Sequence, residues 1–364
     1  MQKLTKRLFV LSLIIFSGVA QVGNAYFPPA ENSGWATSDP EDLGWDTDAL
    51  DDLVVWLGER DTRAFIILKD GRIAVEEYFG DFERESNWYW ASAGKTVTAF
   101  LIGVLEKLDS LNIDSRVSDY LGTGWTSFPG EQEDAISIWH QLTMTTGIDY
   151  QVDDQQCTLP ECLEFREDAG EQWYYHNAPY TLLTHVIEAA SEQDLNDFLN
   201  DAATAIPGFN AFYAGGALSE FNRVVFSRPL DMARFGLFIS QGASWDGAES
   251  PLSSTFFDDM VNPSQSLNPS YGYLWWLNGQ DSFIPPQFAI SLPGPLVASA
   301  PDDMYSAIGL NGQILSIVPS EGLVVIRMGG DPGPLFQFHE QKWGQLGEAL
   351  GIDAKTLFFD RFEE

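Results

Sequence analysis

Hydrophobic periodicity divides the chain into an early hairpin and helix, a mixed middle and a closing set of strands. Apolar residues dominate Ala64–Lys69 and recur through Arg72–Phe79, on either side of Asp70-Gly71. The Asp-Gly pair supplies the φ > 0 positions that a tight hairpin turn needs. Before the hairpin, Asp48–Leu57 reads as a short helix, and residues 26–45, rich in Pro, Gly, Ser and acids, read as an extended leader. Over Lys95–Leu108 the period lengthens, with Val97, Phe100, Leu101, Val104, Leu105 and Leu108 at helical spacing. The middle, about 110–290, mixes short helices with loops. One helix is predicted over Pro179–Ala190 and another over Leu230–Gln241, with Ser227 placed to cap the second. Tyr305–Leu310, Gln313–Val318 and Leu323–Met328 are strand-like, and an amphipathic helix closes the pattern over about Phe336–Leu350. Strands from both ends can pair in one antiparallel sheet flanked by helices, an α+β arrangement (an α/β sandwich) with the mainly helical middle region beside it. With no repeat and no long linker, 26–364 reads as one domain.

Composition narrows the partners. The 364 residues are 45% hydrophobic, enough apolar surface for a large core. Acids outnumber bases 53 to 19, a net charge of −34, and Lys and Arg form no run. Such a chain repels phosphate backbones and anionic lipid, which excludes nucleic acid as a partner and disfavours anionic membranes.

The charge is not evenly placed at the start. Lys3, Lys6 and Arg7 precede the apolar run Leu8–Ala20, and Gly23-Asn24-Ala25 follows. This is the layout of a signal peptide over 1–25 with cleavage after Ala25. The apolar run is shorter than the roughly 20 residues of a membrane-spanning helix, so an uncleaved anchor is the less favoured alternative. The expectation is an exported protein, periplasmic or secreted, with no stable membrane insertion after cleavage. In that setting Cys157 and Cys162, the only cysteines, read as a small loop disulfide. A metal site is the alternative, and no nearby His or Cys completes one.

Candidate chemistry begins with absences. The chain has no G-x-S-x-G elbow, no H-E-x-x-H, no Walker loop and no G-x-G-x-x-G, and only four histidines. It does carry Ser92-Ala93-Gly94-Lys95 at the start of the apolar helix. A spacing of three puts the hydroxyl within reach of an amine that can hold its proton. A helix start adds N–H groups for developing negative charge. The bland alternative is a capping serine followed by a surface lysine. The second element is Tyr175-His176-Asn177, within Trp173–Tyr180. A tyrosinate held in the field of Lys95 is a competent base, and Asn177 can bond Lys95 or a substrate carbonyl. An ordinary aromatic loop is the bland reading here. His176 is expected on the rim and His140 in a structural hydrogen bond. Of Trp88, Trp90, Trp173, Trp275 and Trp276, one or two are expected at the site and the rest in the core.

Ser92-x-x-Lys95 followed by Tyr175-x-Asn177 resembles the serine β-lactamase-related superfamily, in particular its class C β-lactamase, esterase and 6-aminohexanoate-dimer hydrolase branch. Further landmarks are similar: the hairpin Phe65–Tyr78, the segment Ile136-Ser-Ile-Trp-His-Gln-Leu-Thr-Met-Thr-Thr-Gly147, Pro229–Gly236 and Tyr271–Trp276. The resemblance implies a β-lactamase/transpeptidase-like fold and acyl transfer without metal or organic cofactor. It assigns Ser92 as nucleophile and Lys95 with Tyr175 as the proton-transfer pair. It also points to Gly309-Leu310-Asn311-Gly312-Gln313 as the third element. β-Lactamases carry Lys-Thr-Gly there, whereas this chain has no cation. Its form resembles the hydrolase and esterase members and puts β-lactam and D-alanyl-peptide cleavage in doubt. The N–H groups of Ser92 and Leu310 are the expected oxyanion hole, with Gly309 and Asn177 beside the substrate.

The expectation is therefore a serine hydrolase acting on a small-molecule ester or amide or a short peptide. The alternatives are a penicillin-binding-type peptidase or β-lactamase, and a catalytically silent binding protein on the same fold.

Overall fold

The structure, a computed structural model, describes residues 25–215 and 223–352; most of the expected signal peptide lies outside them. The helices are α1 Thr47–Gly58, α2 Lys95–Lys107, α3 Ser118–Leu121, α4 Gly130–Asp134, α5 Ile138–Leu142, α6 Asn177–Thr181, α7 Leu183–Ser191, α8 Leu195–Ala203, α9 Pro229–Ser240, α10 Ser254–Met260 and α11 Leu335–Leu350. The strands are β1 Thr62–Lys69, β2 Arg72–Tyr78, β3 Trp88–Tyr89, β4 Ala211–Gly215, β5 Arg223–Ser227, β6 Trp276–Leu277, β7 Ser282–Phe283, β8 Leu292–Pro293, β9 Tyr305–Gly309, β10 Gln313–Val318 and β11 Leu323–Gly329.

The hairpin and the closing strands form one antiparallel sheet, in the order β2-β1-β11-β10-β9-β6. Asp70 and Gly71 have φ of 49° and 82°, as a tight β1–β2 turn requires. Both ends of the chain meet at β1–β11, where Ile66 pairs with Ile326. The two sheet faces are covered differently. On β11, Val324 lies against α9, while Arg327, of opposite parity along the strand, lies over the ring of Phe338 in α11. Gly236 lets α9 approach, because a Cβ there would sit 2.5 Å from Val324 and 2.6 Å from Leu315. Phe100 of α2 then packs edge-on against Phe235 and Phe238 of α9. The sandwich thus runs from α1 and α11, through the sheet, to α9 and α2.

Three details differ from the expectations. The predicted helix Pro179–Ala190 is two helices, α6 and α7, joined at Leu182. Ser227 does not cap α9; it ends β5, and Arg228 takes the cap position. Pro229 fixes φ for the first helical residue, and the Asp231 carboxylate turns back to accept from the Arg228 N–H at 3.3 Å. Ser227 Oγ instead accepts from Trp90 Nε1 at 2.8 Å, tying β5 to the loop before Ser92. The middle also contains strands where only helices and loops were expected: β4 and β5 pair there, and β5 pairs in turn with β3, in the loop before Ser92. Cys157 and Cys162 are joined in a disulfide, as expected.

Candidate active site

Ser92 sits in a short 3-10 turn, Ala91–Gly94, that runs directly into α2. Three contacts hold this turn. The Trp90 N–H donates to Val225 O of β5 at 2.8 Å. Gly94 abuts β5, where an added Cβ would meet Val225 at 2.9 Å. The end of β9 closes the third side: a Cβ on Gly309 would lie 2.4 Å from Trp90 O, 2.9 Å from Ala93 N and 3.1 Å from Ser92 N. Only glycine fits there. Ala91, just before the serine, has φ of 47°, a left-handed conformation that costs energy for a residue with a Cβ.

Lys95 opens α2 and is 3% exposed. Its Nζ is 3.1 Å from Ser92 Oγ and 2.9 Å from Asn177 Oδ1. The same nitrogen lies 4.2 Å from the ring centre of Tyr180 and 5.0 Å from that of Tyr175. These partners are all neutral. Burial without a counter-charge pushes the ammonium down to about 7. The neutral amine is thereby brought within reach of neutral pH.

Tyr175 completes the group. Its ring stacks on Trp276 at 5.6 Å and 21°. Burial pushes its phenol well above the ordinary value, and the nearby Ser92 hydroxyl offsets only part of this. The expected tyrosinate is not what these surroundings favour. In a low-dielectric pocket the neutral forms of both groups gain, so the amine is the available base and the phenol the available acid.

The structure brings Ser92, Lys95, Tyr175 and Asn177 together at one end of the sheet, with Gly309 against the Ser92 turn. Leu310 follows Gly309 and is 62% exposed. The turn Leu310–Gly312 is fixed from behind. Asn311, at φ of 61°, donates from Nδ2 to Tyr89 Oη at 2.9 Å. Gln313 clamps Gly329, donating to its carbonyl at 2.6 Å and accepting from its N–H at 3.0 Å. Arg327, fully buried, donates to the carbonyls of Asn311 at 2.6 Å, Gly312 at 3.0 Å and Arg60 at 2.6 Å. The third element has no cation of its own, but a buried guanidinium supports it.

Other expected residues fall elsewhere. His176 is not on the rim: it is 3% exposed, neither ring nitrogen has a hydrogen-bond partner, and burial pushes its imidazole down to about 4. Its ring meets Tyr174 edge-on, 6.3 Å between centroids. His140 is structural, its Nδ1 accepting from the Ser137 N–H at 3.0 Å. Of the five tryptophans, Trp276 backs Tyr175 and Trp173 meets Trp276 edge-on at 6.1 Å, while Trp90 and Trp275 are core. Trp88 packs against Phe82. Sequence reasoning missed Tyr180 and Arg327. Tyr180 stands three residues after Asn177, a spacing that places it on the same helical face; Arg327 carries no comparable signal.

A family model described as Beta-lactamase matches residues 50–345. No curated protein matches the chain. Among solved structures, one described as "Putative 6-aminohexanoate-dimer hydrolase from Bacillus anthracis" is 15% identical, with a TM-score of 0.65 over 90% of this chain and 91% of that one. A second, "Crystal structure of putative beta-lactamase from Bacteroides dorei DSM 17855", is 16% identical, with a TM-score of 0.64 over 84% and 99%. The octameric penicillin-binding protein homologue from Pyrococcus abyssi is 15% identical, with a TM-score of 0.61 over 85% and 78%. At these identities the likeness is one of fold.

Proposed function

The chain belongs to the Beta-lactamase family, whose members are serine hydrolases acting on amides, esters or β-lactams, and from that premise we propose that it is an exported serine hydrolase cleaving an ester or amide through an acyl-enzyme on Ser92. The observation that carries this reading is the neutral cluster around Lys95. A surface lysine beside a capping serine would be charged and solvated. Here the amine is buried, faces Ser92 Oγ at 3.1 Å and is pushed down to about 7.

The steps follow from those protonation states. Neutral Lys95 takes the Ser92 proton as Oγ bonds to the substrate carbonyl carbon. The Ser92 and Leu310 N–H groups receive the oxyanion; one such donor is typically worth about 3 kcal/mol. The leaving group departs with a proton from the Tyr175 phenol, which Lys95 then re-protonates. Water attacks the acyl-enzyme, giving its proton to Lys95, and Ser92 Oγ leaves as Lys95 hands that proton on to it, which restores the neutral amine. No proton is gained or lost over the cycle.

The absence of a cation at Gly309–Gln313 favours substrates without a carboxylate at that position, and so an ester or amide over a β-lactam or a D-alanyl peptide. The test is covalent labelling with a fluorophosphonate probe. The native chain is expected to label and Ser92→Ala to lose the label; full labelling of that variant overturns the assignment. Acylation by a fluorescent penicillin is expected to be absent, and stable acylation would favour a penicillin-binding activity. No turnover of any ester or amide, with no label on Ser92, would favour a silent binding protein.

A further inference from the structure

In the proposed cycle Lys95 changes charge, and the groups that face its Nζ are all neutral. Ser92 faces it from its own turn, Tyr175 from the loop before α6, and Asn177 and Tyr180 from α6 itself. Of the two rings over which the nitrogen lies, Tyr180 is the nearer, at 4.2 Å from the ring centre. A cation over an aromatic face is attracted by the ring quadrupole, most strongly where water is excluded. Both partners here are inside the protein.

The ring is held from its far end. Tyr180 Oη is 3.1 Å from Thr98 Oγ1, and the same Thr98 oxygen is 2.9 Å from Tyr213 Oη. All three residues are buried. Thr98 follows Lys95 by three residues in α2, so one turn of helix sets both the amine and the bridge. Tyr213 is fixed in turn: Asn196 of α8 accepts from its N–H at 2.7 Å and donates to its carbonyl at 3.0 Å. Within the β4–β5 pair Tyr213 lies opposite Val225, whose carbonyl accepts from the Trp90 N–H. Burial pushes the phenols of Tyr180, Tyr213 and Tyr271 upward, so the tyrosines of this cluster stay protonated near neutral pH. The bridge therefore orients a ring and adds no charge.

We infer that Tyr180 is a positioning residue for Lys95: its ring face stabilises the ammonium that forms each time Nζ takes the Ser92 proton, and Thr98 with Tyr213 fixes the ring's orientation. The inference rests on the Ser92 reading and adds what steadies the base. The proton passes from Ser92 Oγ to Nζ as Oγ bonds to the carbonyl carbon, and it leaves Nζ in the next step; Tyr180 neither gains nor loses one. A ring suits this traffic better than a carboxylate. A carboxylate favours the ammonium by about one to three pH units and would hold the proton. A desolvated ring face favours it by about one unit, enough to ease the transfer and little enough to let the proton go.

The experiment follows the rate of fluorophosphonate labelling of Ser92 against pH on the full chain, with kcat/KM for p-nitrophenyl acetate beside it. Tyr180→Phe and Thr98→Val each keep the ring and cut the bridge. Both should lower the labelling rate several-fold and leave the acid limb near its native place. Starting from Tyr180→Phe, the ring at position 180 is then given one, two and three fluorines by incorporation of fluorinated phenylalanines. Fluorine withdraws charge from the ring face and barely changes its shape, so the fold is expected to survive, checked by melting temperature. The acid limb should move stepwise toward lower pH, by about one unit in all, as the ammonium loses its partner. A limb that stays in place across the series overturns the inference, whether or not the rate falls, because a merely structural ring would affect rate alone. Unchanged rates in both Tyr180→Phe and Thr98→Val overturn the part given to the bridge. A labelled Ser92 with an unmoved limb sinks only the role of Tyr180, whereas a native chain with no label and no turnover sinks the hydrolase reading with it.

Discussion

Asn177 Oδ1 accepts from Lys95 Nζ at 2.9 Å, so the buried lysine is held by a neutral amide where a carboxylate would fit. The choice has a chemical consequence. A carboxylate at that distance would pair with the ammonium and keep it charged, useless as a base. The amide orients the nitrogen toward Ser92 while leaving burial to set its proton affinity.

The pH dependence follows. Only neutral Lys95 can take the Ser92 proton, so kcat/KM should fall about tenfold per unit below pH 7, where the amine becomes charged. Asn177→Asp should move this acid limb upward by about one to three units, because the new carboxylate favours the ammonium. A limb that stays in place in that variant would remove Lys95 from the base role.

Tyr175 is expected to work as an acid. Its phenol is pushed well above the ordinary value, so it stays protonated through neutral pH. In the native chain kcat/KM should level off once Lys95 is neutral; a continued rise toward pH 10 would mean that phenolate is the base. Tyr175→Phe keeps the stacking on Trp276 and removes the proton, with an expected loss of about 10²- to 10⁴-fold in kcat/KM. Loss of less than tenfold would assign the leaving-group proton elsewhere.

The parts legible in the sequence were those written in short-range patterns. The hairpin announced itself through Asp70-Gly71, α2 through its apolar spacing, and the closing strands through their separation by Gly and Pro turns. Ser92, Lys95, Tyr175 and Asn177 were legible because motif spacing encodes them. What escaped depends on contacts between distant segments. β3 and β6 have two residues each and exist only because β5 and β9 offer edges. Ser227 looked like a cap, since its bond to Trp90 spans the chain. His176 looked exposed because alternation in a loop says nothing of what packs above it. Arg327 reads as one more charged position, and only the folded sheet shows it carrying the turn after Gly309.

Gly309 provides the sharpest steric test. A methyl group there would meet Trp90 O at 2.4 Å and Ser92 N at 3.1 Å, backbone atoms that cannot rotate away. Gly309→Ala should therefore push β9 off the nucleophile turn, lowering kcat/KM about 100-fold, as loss of an oxyanion donor does. Stability should fall by about 1–3 kcal/mol, the usual range for overpacking. Urea unfolding alongside kinetics separates the two effects. Near-normal turnover would show that β9 does not help to form the oxyanion hole.

His176 makes the fold sensitive to acid. Its imidazole is pushed from 6.5 in the open chain down to about 4 when folded. Between those values the unfolded state binds more protons, so stability is fully present above pH 6.5 and is lost as pH falls toward 4. The shift corresponds to about 3 kcal/mol. His339, also buried and pushed down, acts with the same sign. His176→Asn should flatten the dependence of the urea midpoint on pH between 6.5 and 4. An unchanged slope would place the acid sensitivity elsewhere.

The acid excess sets the last prediction. The predicted leader takes three of the 19 bases and none of the 53 acids, so an exported mature chain would be more acidic still. Salt acts on this chain in two opposed ways. It weakens surface ion pairs such as Arg116–Asp119, exposed by 52% and 41%, and such pairs are each worth only about 0–1 kcal/mol. It also screens repulsion among unpaired carboxylates, which grows with net charge and has no such ceiling. The second effect should win. The melting temperature is expected to rise from dilute buffer to 1 M sodium chloride, with most of the gain by about 0.5 M, where the screening length is already only a few ångströms. Chloride is the informative salt, because sulfate would also strengthen apolar burial and raise stability for a different reason. A melting temperature that is equal or lower in chloride would mean that the ion pairs, few as they are, outweigh the repulsion.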